Sequence, residues 1–355
     1  MEAVLAQVEQ LPALLAVSRS TLVRDWDSLT VKRALEWARY FQHLYHRFRA
    51  RPRFREAVGR RLRWSQPHSR FGFPALGRCP QLLALTLLEN RALPPAACRC
   101  LLRSLLPPPL AGPGPEAPAL ELLARRKAAA RLLPLPRCPR AGAAPGAPLR
   151  AEAQLLLRRL REERLEAAEA AGQLRWLGGI LEQLPQPRVF EVVAAALAVL
   201  KQGRDSEPAG GTDREGSSPE GYQADDAGDG YIAGLLLSWL LDSQERFSAF
   251  CLCLTCSYLA FLAAHYSQLS KSYLDLLTSW GSHLHYDPLQ GRWVKSCLDK
   301  AILSWEELRE RFSCLCQAST LLKEQTQAAL KLLRTQDGDF KVCGLSVWTD
   351  LLMEV

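Results

Sequence analysis

Three cysteine groups and one histidine pair are the residues of this 355-residue chain that metal or redox chemistry would use. Cys251, Cys253 and Cys256 include a Cys-x-x-Cys, and Cys98-x-Cys100 and Cys314-x-Cys316 lie elsewhere. Structural zinc takes four ligands at about 2.0–2.3 Å, usually from paired knuckles set in turns. Here the Cys-x-x-Cys falls in an apolar run that reads as helix, and no second Cys-x-x-Cys accompanies it. The thiols therefore read as small buried hydrophobes. Redox catalysis would need a βαβ context that the sequence lacks. His283-x-His285, near Tyr286 and Asp287, offers two imidazoles and a carboxylate, but no His-Glu-x-x-His exists. A helix end after Gly281, where histidine favours the negative end of the dipole, is the preferred reading. Asp337-Gly338-Asp339 opens like a calcium loop but lacks the later ligands and the closing Glu, so it reads as a glycine turn. Gly210-Gly211 and Gly228-x-Gly230 follow no strand and lead to no Gly-Lys-Ser/Thr, and no Gly-x-Ser-x-Gly elbow exists. No catalytic residue, cofactor or metal is expected, and the chain reads as a non-enzyme.

The segment Arg47–Arg63 carries a different kind of chemistry. Arg47, Arg49, Arg51, Arg53, Arg55, Arg60, Arg61 and Arg63 are interleaved with Phe48, Phe54 and Trp64. Guanidinium groups bind phosphates with an affinity that falls steeply with salt. Arginine and aromatic side chains are also what protein interfaces prefer. No helix-turn-helix or other DNA-reading module surrounds the segment, which favours a protein partner over DNA. The whole of the +8 formal charge lies in residues 1–70, with 14 Lys and Arg against 6 Asp and Glu; the rest of the chain balances. Such asymmetry points to an acidic partner surface, a nucleic acid or an anionic membrane.

The elements that must position these residues read as helices. Leu and Ala dominate, and β-branched residues are sparse. Leu5, Val8, Leu11, Leu14 and Leu15 mark a short amphipathic helix. Asp27 or Ser28 caps the next, which carries Ala34, Trp37, Ala38, Phe41, Leu44, Tyr45 and Phe48 on one face. Residues 1–106 form a basic N-terminal helical region, with a helix break at Pro94-Pro95. Residues 107–150 are Pro/Ala/Gly-rich around one helix, and 151–200 are helical. Residues 201–230, rich in Gly, Ser, Asp and Glu, have little to bury and read as a disordered acidic linker. The uncharged run Phe247–Ala264 reads as one buried helix rather than a membrane span, because it holds Ser248, Thr255, Ser257 and Tyr258. No N-terminal segment reads as a signal peptide, since Glu2, Glu9 and Pro12 interrupt it, so the thiols are expected to stay reduced. The fold class is all-α, with antiparallel helix pairs forming a helical-repeat (HEAT-like, solenoid) stack over residues 231–355. Trp280, Trp293, Trp305 and Trp348 crowd this last quarter and are expected to pack between helices or anchor an interface.

The C-terminal third carries a specific pattern. Leu276-Leu277-Thr278-Ser279-Trp280-Gly281 leads to Leu284-His285-Tyr286-Asp287, then Gly291-x-Trp293-Val294, Trp305-Glu306-Glu307-Leu308 and Gly344-Leu345-Ser346-Val347-Trp348-Thr349-Asp350. Near the N-terminus stand Val31-x-Arg33-Ala34-Leu35-x-Trp37-Ala38-Arg39-Tyr40 and Leu87-Leu88-Glu89-Asn90-Arg91-Ala92-Leu93. This order and spacing resembles the Fanconi anemia group F family over most of residues 1–106 and 231–352. The resemblance implies a nuclear adaptor of the Fanconi anemia core complex, a ubiquitin ligase that monoubiquitinates a two-protein clamp during DNA interstrand crosslink repair. It implies group C and E proteins as partners of the N-terminal half, and group G and A proteins as partners of the C-terminal domain. It identifies no contact residues. Residue type alone nominates Arg47, Arg51, Arg55, Phe54 and Trp64, together with Trp280, Leu284, Tyr286 and Trp293. The alternative is a subunit that binds nucleic acid directly through the basic N-terminal region.

Overall fold

The computed structural model describes residues 2–65, 72–106, 119–133, 147–164, 170–205, 223–295, 302–339 and 342–355. Among these the chain is all-α apart from one two-stranded hairpin. In chain order the helices are α1 (Glu2–Val8), α2 (Gln10–Arg19), α3 (Ser28–Phe48), α4 (Pro52–Ser65), α5 (Phe73–Gly77), α6 (Cys79–Glu89), α7 (Pro95–Leu105), α8 (Ala119–Leu132), α9 (Ala147–Arg164), α10 (Ala170–Leu181), α11 (Gln186–Asp205) and α12 (Gln223–Leu241). They continue as α13 (Gln244–Cys253), α14 (Cys256–Ala263), α15 (Ser267–Gly281), the hairpin β1 (Leu284–Asp287) and β2 (Arg292–Lys295), α16 (Trp305–Ala318), α17 (Thr320–Gln336) and α18 (Val347–Glu354).

These elements divide into two compact units, and the chain passes between them more than once. α1–α8 and α10 form the first unit, whereas α9, α11–α18 and the hairpin form the second. α11 and α12, which flank the linker expected at 201–230, both lie in the second unit. Helix extends to Asp205 and resumes at Gln223, and residues 206–222 lie outside the described residues.

In the first unit α3 is the central element and packs on α5, α6 and α7. Its period buries Val31, Ala34, Ala38, Phe41 and Leu44, while Trp37 sits at the edge of that stripe. Asp27 starts the helix: its Oδ1 accepts from Thr30 N at 2.7 Å and from the Thr30 hydroxyl at 2.6 Å. Those two bonds hold the Asp27 carboxyl below the usual range. Asn90, at the end of α6, ties down the end of α2 by donating to the Ser18 and Ser20 carbonyls at 2.9 and 2.8 Å. α10 returns to this unit at Gly179, where the backbone meets the Leu106 carbonyl closely enough that only glycine fits.

In the second unit α11 packs on α9, α12 and α13. Arg188 links α11 to α9 by donating to Glu152 Oε1 at 3.1 Å, and it also bonds Glu191 Oε2 at 2.6 Å. Further along, α14 packs on α15 and α16, α16 on α17, and α17 on α18. A capping box starts α16: Glu307 N donates to Ser304 Oγ at 3.2 Å, and Ser304 N donates to Glu307 Oε2 at 2.7 Å.

The structure departs from the sequence pattern in three places. The run Phe247–Ala264 is two helices rather than one, broken by extended backbone at Leu254 and Thr255. The break turns α14 towards α15 and α16, so tertiary packing overrides an apolar run that local propensity would continue. The β1–β2 hairpin stands where a plain connector was expected. The expected repeat stack does not show as equal repeats, since its helices range from 8 residues in α14 to 19 in α12, and the hairpin interrupts them. None of the described helices is long and apolar enough to cross a membrane.

Candidate interaction surfaces

The cysteine and histidine groups differ in burial and in what they bond. Cys251 is buried, Cys253 exposed and Cys256 half-buried, so the two ends of the Cys-x-x-Cys flank the α13–α14 break. The Cys256 thiol donates to Glu310 Oε1 at 3.2 Å and also bonds Cys314. Burial first, and then those two acidic neighbours, push it up to about 12, which leaves almost no thiolate at neutral pH. His283 Nδ1 lies 2.6 Å from the Ser279 carbonyl at the end of α15, the helix-end role expected of it. Asp287 is occupied by the hairpin turn: its Oδ1 accepts from Leu289 N at 2.8 Å. Asp337-Gly338-Asp339 is a turn with positive φ at Gly338 and Asp339. Among the described residues no three His, Cys, Asp or Glu side chains are placed to hold a metal ion.

The nominated contact residues fall into two groups. Around the α3–α4 corner Arg47, Arg51 and Arg55 are exposed. Phe54 is only 5% exposed and stacks on Phe48 with ring centroids 4.2 Å apart, so it is a floor rather than an anchor. Trp64 lies on α4, and its side chain is outside the described residues. In the second unit Trp280 and Leu284 are buried; Trp280 lies beneath the Arg311 guanidinium, 6.0 Å from its ring centroid. Tyr286 and Trp293 are half-buried and pair across the hairpin, with ring centroids 5.5 Å apart. Trp293 stacks on Trp305 at 6.1 Å and donates its Nε1–H to Asp350 Oδ2 at 2.7 Å. Asp350 also accepts from Gly344 N at 3.0 Å, and Gly344, with φ +80°, leaves room for the Tyr286 ring. Asp350 thus ties β2, the loop at Gly344 and the start of α18 together. Asp350→Ala strands both donors and is expected to lower stability by about 2 kcal/mol in denaturant unfolding. An unchanged midpoint would show that Asp350 does not hold the hairpin.

Two surfaces escaped residue-type reasoning. In the first unit an open apolar groove of about 590 Å³ runs between α1–α2 and α3, and Leu14, Val17, Trp26, Trp37 and Phe41 are among its lining residues. Trp37 is 43% exposed there, braced by Tyr40 at 5.7 Å and Phe41 at 5.8 Å. In the second unit Leu289 crowns the hairpin at 96% exposure, on a turn fixed by Asp287 and by Gly291, whose φ is +63°. An apolar side chain inside a Pro288-Leu289-Gln290-Gly291 turn is the sequence signal that could have found it.

Fold and surfaces together define an all-α protein of two helical units, each of which exposes apolar side chains. A family model described as Fanconi anemia group F protein matches residues 1–355. The chain is 42% identical over 357 residues to the Fanconi anemia group F protein of Mus musculus, an alignment covering 99% of this chain and 97% of that one. It is 39% identical over 368 residues to the Homo sapiens protein of the same name, covering 99% and 94%. The chain belongs to the Fanconi anemia group F protein family.

Proposed function

We propose that the chain is a non-catalytic adaptor of the nuclear Fanconi anemia core complex, the ubiquitin ligase of interstrand crosslink repair. In this reading the first unit engages the group C and E proteins, and the second engages the group G and A proteins. The carrying observation is that each unit presents an apolar side chain in the open, Trp37 beside a groove and Leu289 on a hairpin tip. Large apolar groups held rigidly at a surface are the usual anchors of protein interfaces, and tryptophan most of all. Two binding surfaces on one chain raise the effective concentration of each partner for the other, and this is all the chemistry an adaptor needs. Family membership supports the choice of complex.

Single substitutions test the reading. Trp37→Glu is expected to weaken capture of the group C and E proteins about 30-fold, the size of one interface hot spot, and to leave group G and A capture intact. Leu289→Glu is expected to do the reverse. Loss of both partner sets in one variant, or of neither in either variant, would refute the division.

A further inference from the structure

We infer that the α3–α4 corner binds the phosphate backbone of duplex nucleic acid. Arg47, Arg49, Arg51, Arg53, Arg55 and Arg60 are all exposed there. None of the six makes an ion pair among the described residues, whereas Arg61 in the same stretch is paired with both Glu2 and Glu9. Glu56, the acidic neighbour on α4, is exposed and makes no ion pair with them among the described residues. A folded protein ordinarily scatters charges of both signs, so six uncompensated guanidinium groups at one corner form a concentrated positive field.

The corner is also preorganised. The Arg47 and Arg51 guanidinium groups each lie 5.9 Å from the Phe48 ring centroid, and Arg55 lies 5.9 Å from that of Phe73. The rings beneath are packed on one another, with Phe48 stacked on Phe54 at 4.2 Å and Tyr45 against Phe73 at 5.2 Å. This contact holds flexible side chains in place before any ligand arrives. α4 begins at Pro52 with no acidic residue in its first turn, so the positive end of its dipole opens on the same corner.

The aromatic floor decides which ligand fits. Single strands are held by stacking bases on exposed rings, and protein interfaces that use arginine set it beside exposed aromatic or apolar anchors. Phe54 and Phe73 are buried, and Phe48 is half-buried beneath the Arg47 and Arg51 guanidinium groups, so none of the three offers an open ring face. Among the described residues, what stands outermost at the corner is guanidinium, whose planar fork matches phosphate oxygens. Contact of this kind positions a protein on a duplex without reading its sequence.

The test is fluorescence anisotropy of the full chain with a labelled 30-base-pair DNA duplex, a single strand of the same length, and polyglutamate as competitor. The chain is expected to bind the duplex at 50 mM salt, at least as tightly as the single strand, with polyglutamate the weaker competitor. Arg47→Gln with Arg51→Gln and Arg55→Gln is expected to weaken duplex binding on the order of 100-fold and to reduce the salt slope by about 3. Arg49→Gln with Arg53→Gln and Arg60→Gln, which leaves the ring contacts untouched, is expected to give a comparable loss. Lys271→Gln with Arg292→Gln and Lys331→Gln removes the same charge from exposed positions of the second unit and is expected to change little. No duplex binding at 50 mM salt, equal loss in this control, tighter binding of the single strand, or stronger competition by polyglutamate than by duplex would each overturn the inference.

Discussion

Gly179→Ala is expected to destabilise the first unit by about 3 kcal/mol, against the sign that helix propensity alone would give. Alanine is favoured over glycine inside a helix by roughly 1 kcal/mol, so an unobstructed site would gain stability. At Gly179 a Cβ would stand 1.8 Å from the Leu106 carbonyl oxygen and 2.7 Å from its carbonyl carbon. Both obstacles are backbone, so no rotamer change relieves the clash, and α10 must shift off the end of α7. Gly172, in the same helix, has nothing within 4 Å of the corresponding position. Gly172→Ala is therefore the control, and it is expected to leave stability unchanged or raise it by up to about 1 kcal/mol. A denaturant midpoint that falls for Gly179→Ala and does not fall for Gly172→Ala would establish that α10 docks against Leu106. A stabilised Gly179→Ala would remove α10 from the first unit.

Arg311→Ala is expected to cost about 3 kcal/mol. Arg311 Nη1 donates to the Cys251 carbonyl at 2.9 Å and to the Tyr273 hydroxyl at 3.1 Å, and the guanidinium lies over Trp280. Truncation strands a hydroxyl on a fully buried tyrosine and a carbonyl in the last turn of α13, and each unmet group costs about 1–3 kcal/mol. Burial already pushes the Tyr273 hydroxyl far above its ordinary range, and the neighbouring arginine opposes that shift. Arg311→Met keeps the stem but not the donors, so it is expected to recover only the packing share of the loss. Arg309, which pairs with Glu354 at 2.8 Å on the open surface, is the comparison: solvent screens that pair, and its removal is expected to matter little. Equal losses at Arg309 and Arg311 would contradict the role assigned to Arg311, a half-buried side chain that bonds a buried hydroxyl and a helix-end carbonyl.

Much of the fold is legible residue by residue. The three- and four-residue steps through Ala34, Ala38, Phe41 and Leu44 bury the face they predict, and Asp27 caps the helix it precedes. Elements that depend on distant contacts are not legible. Nothing near Gly179 signals that α10 packs against Leu106, because the partner lies more than 70 residues away in sequence. The α13–α14 break carries no glycine or proline, only Leu254 and Thr255, and packing on α15 and α16 decides it. The hairpin strands are four residues each, too short for period-two alternation to stand out, although Asp287 and Gly291 mark the turn. The candidate site divides in the same way. Residue type drew attention to Phe54, Trp280 and Leu284, but the direction a side chain faces is set by its neighbours, and all three face inward. The sequence places Trp37 in an apolar stripe, and only the edge position it takes there exposes it to the groove.

The proposed adaptor role makes simultaneous occupancy its strictest requirement. Sedimentation velocity of the full chain mixed with both partner sets, group C and E proteins on one side and group G and A proteins on the other, measures this directly. Bridging predicts one species that contains all components. Two separate species, each with one partner set and a copy of this chain, would contradict it.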